Sequence, residues 1–180
     1  DLCVSPRSTK NPTIEVLKTE QRIPKVERSV TQDSSVLWNG NPVSDGMQLK
    51  MSGIKSEHIK GLACSAIGPC MLPVDKQGEP LMNGVLYGVD TRSHKEIEIL
   101  NEIIGESKIL EICGNALTSQ SVGPKILWLK RNKPEVFKQT AKILTSTSFL
   151  VHKLTKKFVI DHYTAANFSP LYNIHTQNWT

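Results

Sequence analysis

The sequence predicts a domain of mixed helix and strand, either α/β or α+β. Short apolar runs with β propensity are concentrated before residue 90, and apolar residues at helical spacing follow after it. The length of 180 residues suits one domain with a sizeable core, and two full domains would be unusual at that length. Periodicity alone does not choose between the two fold classes.

The predicted strands lie in the first half of the chain, and each is bounded by proline, glycine or a polar turn. They cover residues 13–22, 59–66, 70–74 and 84–89. The second and third flank Gly68-Pro69, and the third runs into a hairpin-like turn at 75–78. A short helix is predicted around residues 36–38, because a pair of serines before it can supply the cap.

Helical spacing recurs in the second half of the chain. The clearest case is 93–104, where apolar residues fall on one face of a helix. A further helix, with Pro124 in its first turn, would bury Ile126, Leu127 and Leu129. The remaining predicted elements are helices at 108–113 (with a left-handed stop at Gly114), 135–144 and 147–154, and a brief strand at 158–161.

The net charge of +5 is distributed unevenly along the chain. A basic stripe occupies residues 125–157, where Glu135 is the one acidic residue. Its members are Lys125, Lys130, Arg131, Lys133, Lys138, Lys142, Lys153, Lys156 and Lys157. Such a stripe can meet nucleic acid or nucleotide phosphates, but the aromatic residues that stack on bases do not alternate with these cations. A solvated helix face is the favoured interpretation.

The cysteines at positions 3, 64, 70 and 113 form neither a C-x-x-C pair nor a Cys/His cluster. We therefore expect reduced thiols, no metal site and a cytoplasmic location. No stretch approaches the ~18 apolar residues of a membrane span, and no secretory leader is recognisable. The motifs G-x-x-x-x-G-K-[ST], G-x-S-x-G and H-E-x-x-H are also absent from the sequence.

Two segments carry a family resemblance. The first is Tyr87-Gly88-Val89-Asp90-Thr91-Arg92, and the second, after a helix-like stretch, is Gln120-Ser121-Val122-Gly123-Pro124-Lys125-Ile126-Leu127-Trp128-Leu129. Their order and spacing resemble the N-terminal, sugar-binding domain of the FGGY carbohydrate kinases, in the xylulose-kinase-like branch. The resemblance runs from Ile14 to Trp179, and it is strongest at 84–92, 110–131 and 158–173.

The resemblance implies an α/β fold of the ribonuclease-H-like kind, within the actin-like ATPase superfamily, with a mixed sheet flanked by helices. It identifies residues 1–180 as the N-terminal sugar-binding domain of such a kinase, and the start at Asp1 suggests a fragment. Residues 1–12 match poorly, and we expect the second, nucleotide-binding domain to lie outside this chain. The intact enzyme would use ATP and Mg²⁺ to phosphorylate a hydroxyl of a ketose or polyol.

The implied partners are the sugar or polyol and the C-terminal, nucleotide-binding half of the kinase, with a homodimer left open. No nucleotide is expected to bind tightly to this fragment, and neither a membrane nor a nucleic acid is an expected partner.

By resemblance, the turn at Gly68-Pro69 lines the sugar pocket. Glycine has no side chain, so a polyol could approach the backbone closely there. Several branches of the family carry Met-His or Arg-Glu at these two positions, so this chain departs from them where the substrate would be contacted. A plain strand-ending turn is the alternative interpretation of the same residues.

Tyr87, Asp90 and Gln120 complete the pocket that the resemblance implies. Tyr87 matches an aromatic residue that walls the sugar, and Asp90 matches an acid that accepts hydrogen bonds from its hydroxyls. Gln120 lies at the mouth of a helix, where a polar side chain could reach another hydroxyl. Two alternatives stay open: Arg92 could pair with Asp90 as a structural link, and Ser121 could serve only as a helix cap.

The groups that transfer the phosphoryl group are not expected in this chain. The family's Asp-x-Gly-Thr phosphate loop has only a damaged counterpart at residues 1–10, which lacks the glycine that allows close approach to a phosphate. The catalytic base would lie beyond Thr180, so we expect residues 1–180 alone to be inactive. Asp161 and His162 match positions near the end of the domain, and Asp161 is interpreted as structural.

Two alternatives to the kinase interpretation remain. The weak phosphate loop is compatible with a noncatalytic sugar-binding or protein-interaction domain derived from the kinase fold. The basic stripe is compatible with a nucleic-acid-binding domain, whose affinity would depend strongly on salt concentration.

Overall fold

The computed structural model of the chain describes residues 31–32, 55–58, 64 and 66–180. In chain order, the strands and α-helices of these residues are β1 Thr31–Gln32, β2 Leu72–Val74, β3 Gly84–Val85, α1 His94–Ile104, α2 Glu106–Cys113, α3 Val122–Asn132, α4 Pro134–Gln139, β4 Lys142–Leu144, α5 Ser146–Thr155, α6 His162–Ala166, β5 Tyr172–Asn173 and β6 Asn178–Trp179. The strand predicted at 13–22, the helix around 36–38 and most of the strand at 59–66 lie outside the described residues.

Strand β2 is central among the described strands. It pairs antiparallel with β4, with Leu72 opposite Leu144. On its other side, Met71 forms an antiparallel bridge with Val85 of β3, and the two backbone N–O distances are 3.0 and 2.9 Å. Strand β3 in turn pairs antiparallel with β1. The pairings of the described strands are thus antiparallel, and the mixed sheet stays a prediction.

Four predicted helices are confirmed. Those at 93–104 and 108–113 are α1 and α2, and the one at 147–154 is α5. The helix with Pro124 in its first turn is α3, in which Leu129 is buried while Ile126 and Leu127 are half-buried. Gly105 separates the first two with a φ of 91°, and Gly114 ends α2 with a φ of 72°. Glycine adopts these positive φ values without the steric penalty of a Cβ atom, and the left-handed stop predicted at Gly114 is confirmed.

The helix predicted over 135–144 is wrong in its second half. It ends at Gln139 as α4, and residues 142–144 form β4 instead. The backbone N–H of Ala141 donates to the carbonyl of Val74 at 2.8 Å, which begins the pairing with β2. The unpaired edge of β2 therefore competes successfully with continuation of the helix, because it offers partners for these backbone groups.

Two predicted strands also need correction. Residues 158–161 are irregular, since the ring of Phe158 stacks on His152 of α5 with centroids 4.3 Å apart, and side-chain packing replaces backbone pairing. The strand predicted at 84–89 is right only for its first two residues, which form β3. Gly88 beyond them has a φ of 72°, a left-handed conformation that ends extended backbone.

Consecutive residues around β2 face different helices. Met71 belongs to a buried cluster with Leu129 of α3, whereas Leu72 and Val74 pack with Phe149 of α5. A third cluster lies on the α1–α2 pair, and its buried members are Ile109, Cys113 and Leu117. Helices therefore cover both faces of the central strand, which is the α/β layering that the family resemblance implies.

Replacing Gly78 with alanine is expected to lower the free energy of unfolding by about 2–3 kcal/mol. Gly78 has a φ of 83°, and a Cβ there would lie 2.0 Å from Nε2 of His152, whose buried ring is held by Phe158. Gly105 is the matched control, because its φ is 91° but a Cβ there meets nothing within 4 Å. Urea denaturation of both variants measures the difference, and equal losses would show that the His152 ring moves aside freely.

Candidate functional site

Two loops meet between the end of β3 and the start of α3. The loop after β3 contains Tyr87 and Gly88, and the loop before α3 contains Ser119 and Gln120. The Gly88 N–H donates to the Ser119 carbonyl at 3.1 Å, and the Ser119 hydroxyl donates to the Gly88 carbonyl at 2.8 Å. This reciprocal contact between Gly88 and Ser119, which we call the loop junction, fixes the two loops against each other.

Three of the predicted sugar-binding residues lie around the loop junction. A Cβ on Gly68 would lie 3.0 Å from two ring carbons of Tyr87, so the ring packs directly against this glycine. A Cβ on Gly88 would lie 3.8 Å from Cγ of Gln120. Pro69 is half-buried in the same bend as Gly68. Segments far apart in the sequence thus bring these predicted residues into one neighbourhood.

Replacing Gly68 with methionine is expected to displace the Tyr87 ring and to lower the free energy of unfolding by about 1–3 kcal/mol. The ring occupies the space that a side chain at position 68 would need. Gly68→Ala is the graded control, because a single methyl group at 3.0 Å requires the ring to move by only a few tenths of an ångström. The NMR shifts of the Tyr87 ring report the displacement, and unchanged shifts in the methionine variant would contradict the packing.

Asp90 is fully buried (0% exposed) and is bound by Arg92. Nε of Arg92 lies 2.9 Å from each carboxylate oxygen, and Nη2 lies 2.7 Å from Oδ2. The guanidinium also lies over the ring of Trp128, 4.7 Å from its centroid. This is the structural link that the sequence left open, and a sugar hydroxyl would have to compete with it. The sugar contact of Asp90 stays a prediction.

Lys125 is not part of a solvated helix face, so the interpretation of the basic stripe is wrong at this residue. Its side chain is 0% exposed, and Nζ donates to the carbonyl oxygens of Leu86 at 2.9 Å and Ser119 at 2.6 Å. The helical spacing of Lys125 from its buried neighbours could have indicated this burial. Lys125 lies three residues after Val122 and four before Leu129, both also 0% exposed, so the three share one face of α3.

The surroundings of the Lys125 ammonium disfavour its charge. Burial lowers the pKa of Lys125 to about 8, while the nearby Asp90 and Cys70 oppose this change. The positive charge of Arg92 adds a smaller lowering of the same pKa. The amine between the two loops is therefore expected to lose its proton in mildly alkaline solution.

A polar cavity of about 250 Å³ opens next to the loop junction. Its lining is rich in side-chain hydroxyl and amide groups. The lining residues are Asn115, Ala116, Thr118, Gln120, Ser121, Asn167 and Ser169. Oγ of Ser121 accepts a hydrogen bond from the Thr118 N–H at 3.1 Å and makes no side-chain cap bond to α3. Ser121 therefore shapes the loop that lines the cavity, and it does not cap the helix through its side chain.

Three further members of the basic stripe are paired with carboxylates. The pairs are Arg131 with Glu96 at 2.7 Å, Lys138 with Glu135 at 2.9 Å and Lys153 with Glu79 at 2.7 Å. Together with the burial of Lys125, this pairing weakens the positive field that a nucleic acid would require.

Asp161 caps α6, so the interpretation of this residue as structural is confirmed. Oδ1 accepts from the Thr164 N–H at 2.8 Å and Oδ2 accepts from the Thr164 hydroxyl at 2.7 Å. These hydrogen bonds hold the pKa of Asp161 below its usual value. His162, at the start of the same helix, contacts the hydroxyl of Tyr172.

Across the part of the chain that the structure describes, no group of three or more His, Cys, Asp and Glu residues could hold a metal ion. The helices in that part are all too short or too polar to cross a bilayer. Cys64, Cys70 and Cys113 are free thiols.

The family model for the N-terminal domain of the FGGY family of carbohydrate kinases matches residues 9–180. The xylulose kinase of Staphylococcus xylosus is 24% identical over 122 residues, which cover 68% of this chain and 25% of that protein. The autoinducer-2 kinase of Yersinia enterocolitica is 22% identical over 159 residues, which cover 87% of this chain and 30% of that protein. The chain thus spans less than a third of the length of these relatives.

A solved structure shows the same fold. The crystal structure of xylulose kinase from Rhodospirillum rubrum superimposes with a TM-score of 0.73 at 22% identity, and the match covers 83% of this chain and 31% of that chain. At this level of identity the likeness shows the fold alone, and it confirms the α/β, ribonuclease-H-like prediction.

Proposed function

Because this chain belongs to the FGGY family of carbohydrate kinases, we propose that it forms one wall of the sugar pocket of such an enzyme. In the intact enzyme, the γ-phosphoryl group of ATP would be transferred to a hydroxyl of a xylulose-like ketose or a polyol. The observation that most supports the proposal is the convergence of Gly68, Tyr87 and Gln120 on the loop junction, next to a polar cavity.

A sugar has an apolar face and polar edges, and the proposed wall offers groups for both. The ring of Tyr87 can cover the CH groups of one face, with Gly68 and Pro69 behind it. The amide of Gln120 can donate to and accept from hydroxyls at the mouth of the cavity. Asp90 stays in the proposal as a hydroxyl acceptor that would share its oxygens with Arg92.

Phosphoryl transfer needs a loop around the phosphates, carboxylates that hold Mg²⁺, and a base for the attacking hydroxyl. The described residues do not fit a Mg²⁺ site, because they contain no cluster of metal ligands and the buried Asp90 is bound by Arg92. We assign the nucleotide, the metal ion and the base to the C-terminal half of the kinase. The 180-residue chain is therefore proposed to bind sugar without phosphorylating it.

Isothermal titration calorimetry of the chain with D-xylulose, xylitol and MgATP tests the proposal. We expect binding heat from at least one of the two sugars and none from MgATP. Gln120→Ala should weaken sugar binding by about tenfold, because one buried hydrogen bond to the ligand is lost. Gln139→Ala, which removes an exposed amide at the end of α4, is the matched control and should bind as the parent does.

Each contrary outcome has a distinct meaning. Phosphorylation of either sugar by the chain would contradict the assignment of the catalytic groups to the other half. The absence of binding heat from both sugars would contradict the proposed sugar pocket. It would favour a protein-interaction domain derived from the kinase fold.

A further inference from the structure

The buried amine of Lys125 lies between the two loops that carry candidate sugar-binding residues. One of its acceptors is the carbonyl of Leu86, whose peptide bond leads directly into Tyr87. The other is the carbonyl of Ser119, whose peptide bond leads directly into Gln120. A single side chain thus holds the peptide groups that precede Tyr87 and Gln120.

These two carbonyl groups need a hydrogen-bond donor between them. Carbonyl oxygens that converge in a buried place repel each other, and each would cost free energy if it had no hydrogen-bond donor. A charged donor forms the stronger kind of hydrogen bond, and the 2.6 Å contact to Ser119 is short. Burying an ammonium is itself unfavourable, and the contacts at 2.9 and 2.6 Å offset only part of this desolvation cost.

Lys125 is also anchored on a rigid element. Its neighbours on the same face of α3, Val122 and Leu129, are 0% exposed and belong to the core cluster around Met71. The start of α3 is fixed further at Gly123, where a Cβ would lie only 2.3 Å from the carbonyl oxygen of Ser169. The position of the amine is therefore set by the core and not by the loops.

From this geometry we infer that Lys125 is a positioning residue, which holds Tyr87 and Gln120 at a fixed separation for the sugar. The inference rests on the proposed function for its ligand, but the hold on the two loops does not depend on any ligand. A lysine that served only the stability of the core would, in contrast, affect all parts of the domain alike.

Amide hydrogen exchange distinguishes a local hold from general stability. In Lys125→Met, the amide of Gly88, which bonds Ser119 across the loop junction, should exchange at least about tenfold faster. The amide of Ala141, which bonds Val74 in the β2–β4 pairing, should be unaffected. Lys130→Met removes an exposed lysine from the same helix and should change neither amide. Equal acceleration at Gly88 and Ala141, or no change at either, would overturn the inference.

A measurement on the unmodified chain covers the case in which Lys125→Met does not fold. The amide nitrogens of Tyr87 and Gln120 belong to the peptide groups that Lys125 binds, so their NMR shifts should follow the protonation of its amine. Both are expected to titrate with the same midpoint as the Cε resonance of Lys125. Independent midpoints, or no titration at either amide, would contradict the claim that Lys125 binds both peptide groups.

Binding of D-xylulose, measured by calorimetry, completes the test. If the parent chain binds this sugar, Lys125→Met should weaken binding by about tenfold or more, and Lys130→Met should not. Loosened loops with unchanged sugar affinity would overturn the positioning role. If the parent chain binds neither D-xylulose nor xylitol, the proposed function fails, and the exchange data then decide separately whether Lys125 holds the loops.

Discussion

Replacing Asp90 with alanine is expected to lower the free energy of unfolding by about 3–5 kcal/mol, because Arg92 is left buried without its partner. Asp90 is 0% exposed and Arg92 is 7% exposed, so water has little access to the abandoned guanidinium. Urea denaturation at neutral pH measures the change. A loss below about 1 kcal/mol, the range of exposed ion pairs, would contradict this account of the Asp90–Arg92 pair.

The double variant Asp90→Ala/Arg92→Met separates stability from sugar binding. With both charges removed, most of the lost stability should return, because no uncompensated ion remains and a methionine can pack against Trp128. A sugar titration of this folded double variant then measures its sugar affinity without the loss of stability. Reduced affinity would support a contact between the sugar and this pair, whereas full affinity would remove Asp90 from the proposed pocket.

The contribution of Lys125 to stability is expected to increase between pH 8 and pH 10.5. Folded Lys125 has a pKa of about 8, against 10.5 for a free lysine. In this window the unfolded chain binds more protons than the folded chain, so a rise in pH favours folding. The full change is on the order of 3 kcal/mol for this group. Below pH 8 both states keep the proton, and the contribution is constant.

Comparison with Lys125→Met isolates this titration from those of other groups. The groups that act on the pKa of Lys125 are Asp90, Cys70 and Arg92, and all three are retained in the variant. The difference in unfolding free energy between parent and variant should change across the window, while the difference for Lys130→Met should stay constant. A constant difference for Lys125→Met as well would mean that the buried amine titrates like an exposed one.

The local sequence pattern was sufficient to predict some helices and strands but not others. Helices α1 and α2 could be predicted because their apolar spacing is local and because a glycine follows each helix directly. Strand β4 could not, because Lys142–Leu144 becomes a strand only through pairing with β2, which is distant in the sequence. Tertiary pairing overrides local propensity in such a segment.

Lys125 marks a different limit of prediction. Its charge and its basic neighbours favour an exposed position, whereas its spacing from Val122 and Leu129 favours a buried one, and the spacing proved decisive. Its partners could not be predicted in any case. Backbone carbonyl groups such as that of Leu86 occur at every residue, so the sequence contains no sign of which ones a buried amine will bind.

The candidate site depended on the family resemblance more than on residue types. Gly68, Tyr87 and Gln120 carry no shared pattern, yet the fold brings them to the loop junction. For Asp90, simple chemistry offered Arg92 as an alternative partner, because it follows at a distance of two residues and a buried carboxylate favours a cationic neighbour. Whether any of these side chains touches a sugar depends on a ligand contact that no sequence pattern encodes.

The antiparallel pairing of β2 with β4 has a consequence for the order of folding. Residues 75–141 form one long excursion between two adjacent strands, and closing so long a loop costs conformational entropy. The α1–α2 pair, which has its own buried cluster, contains local contacts that can form sooner. Because the loop junction lies inside the excursion, the proposed pocket is expected to reach its final geometry late, when β2 and β4 close around it.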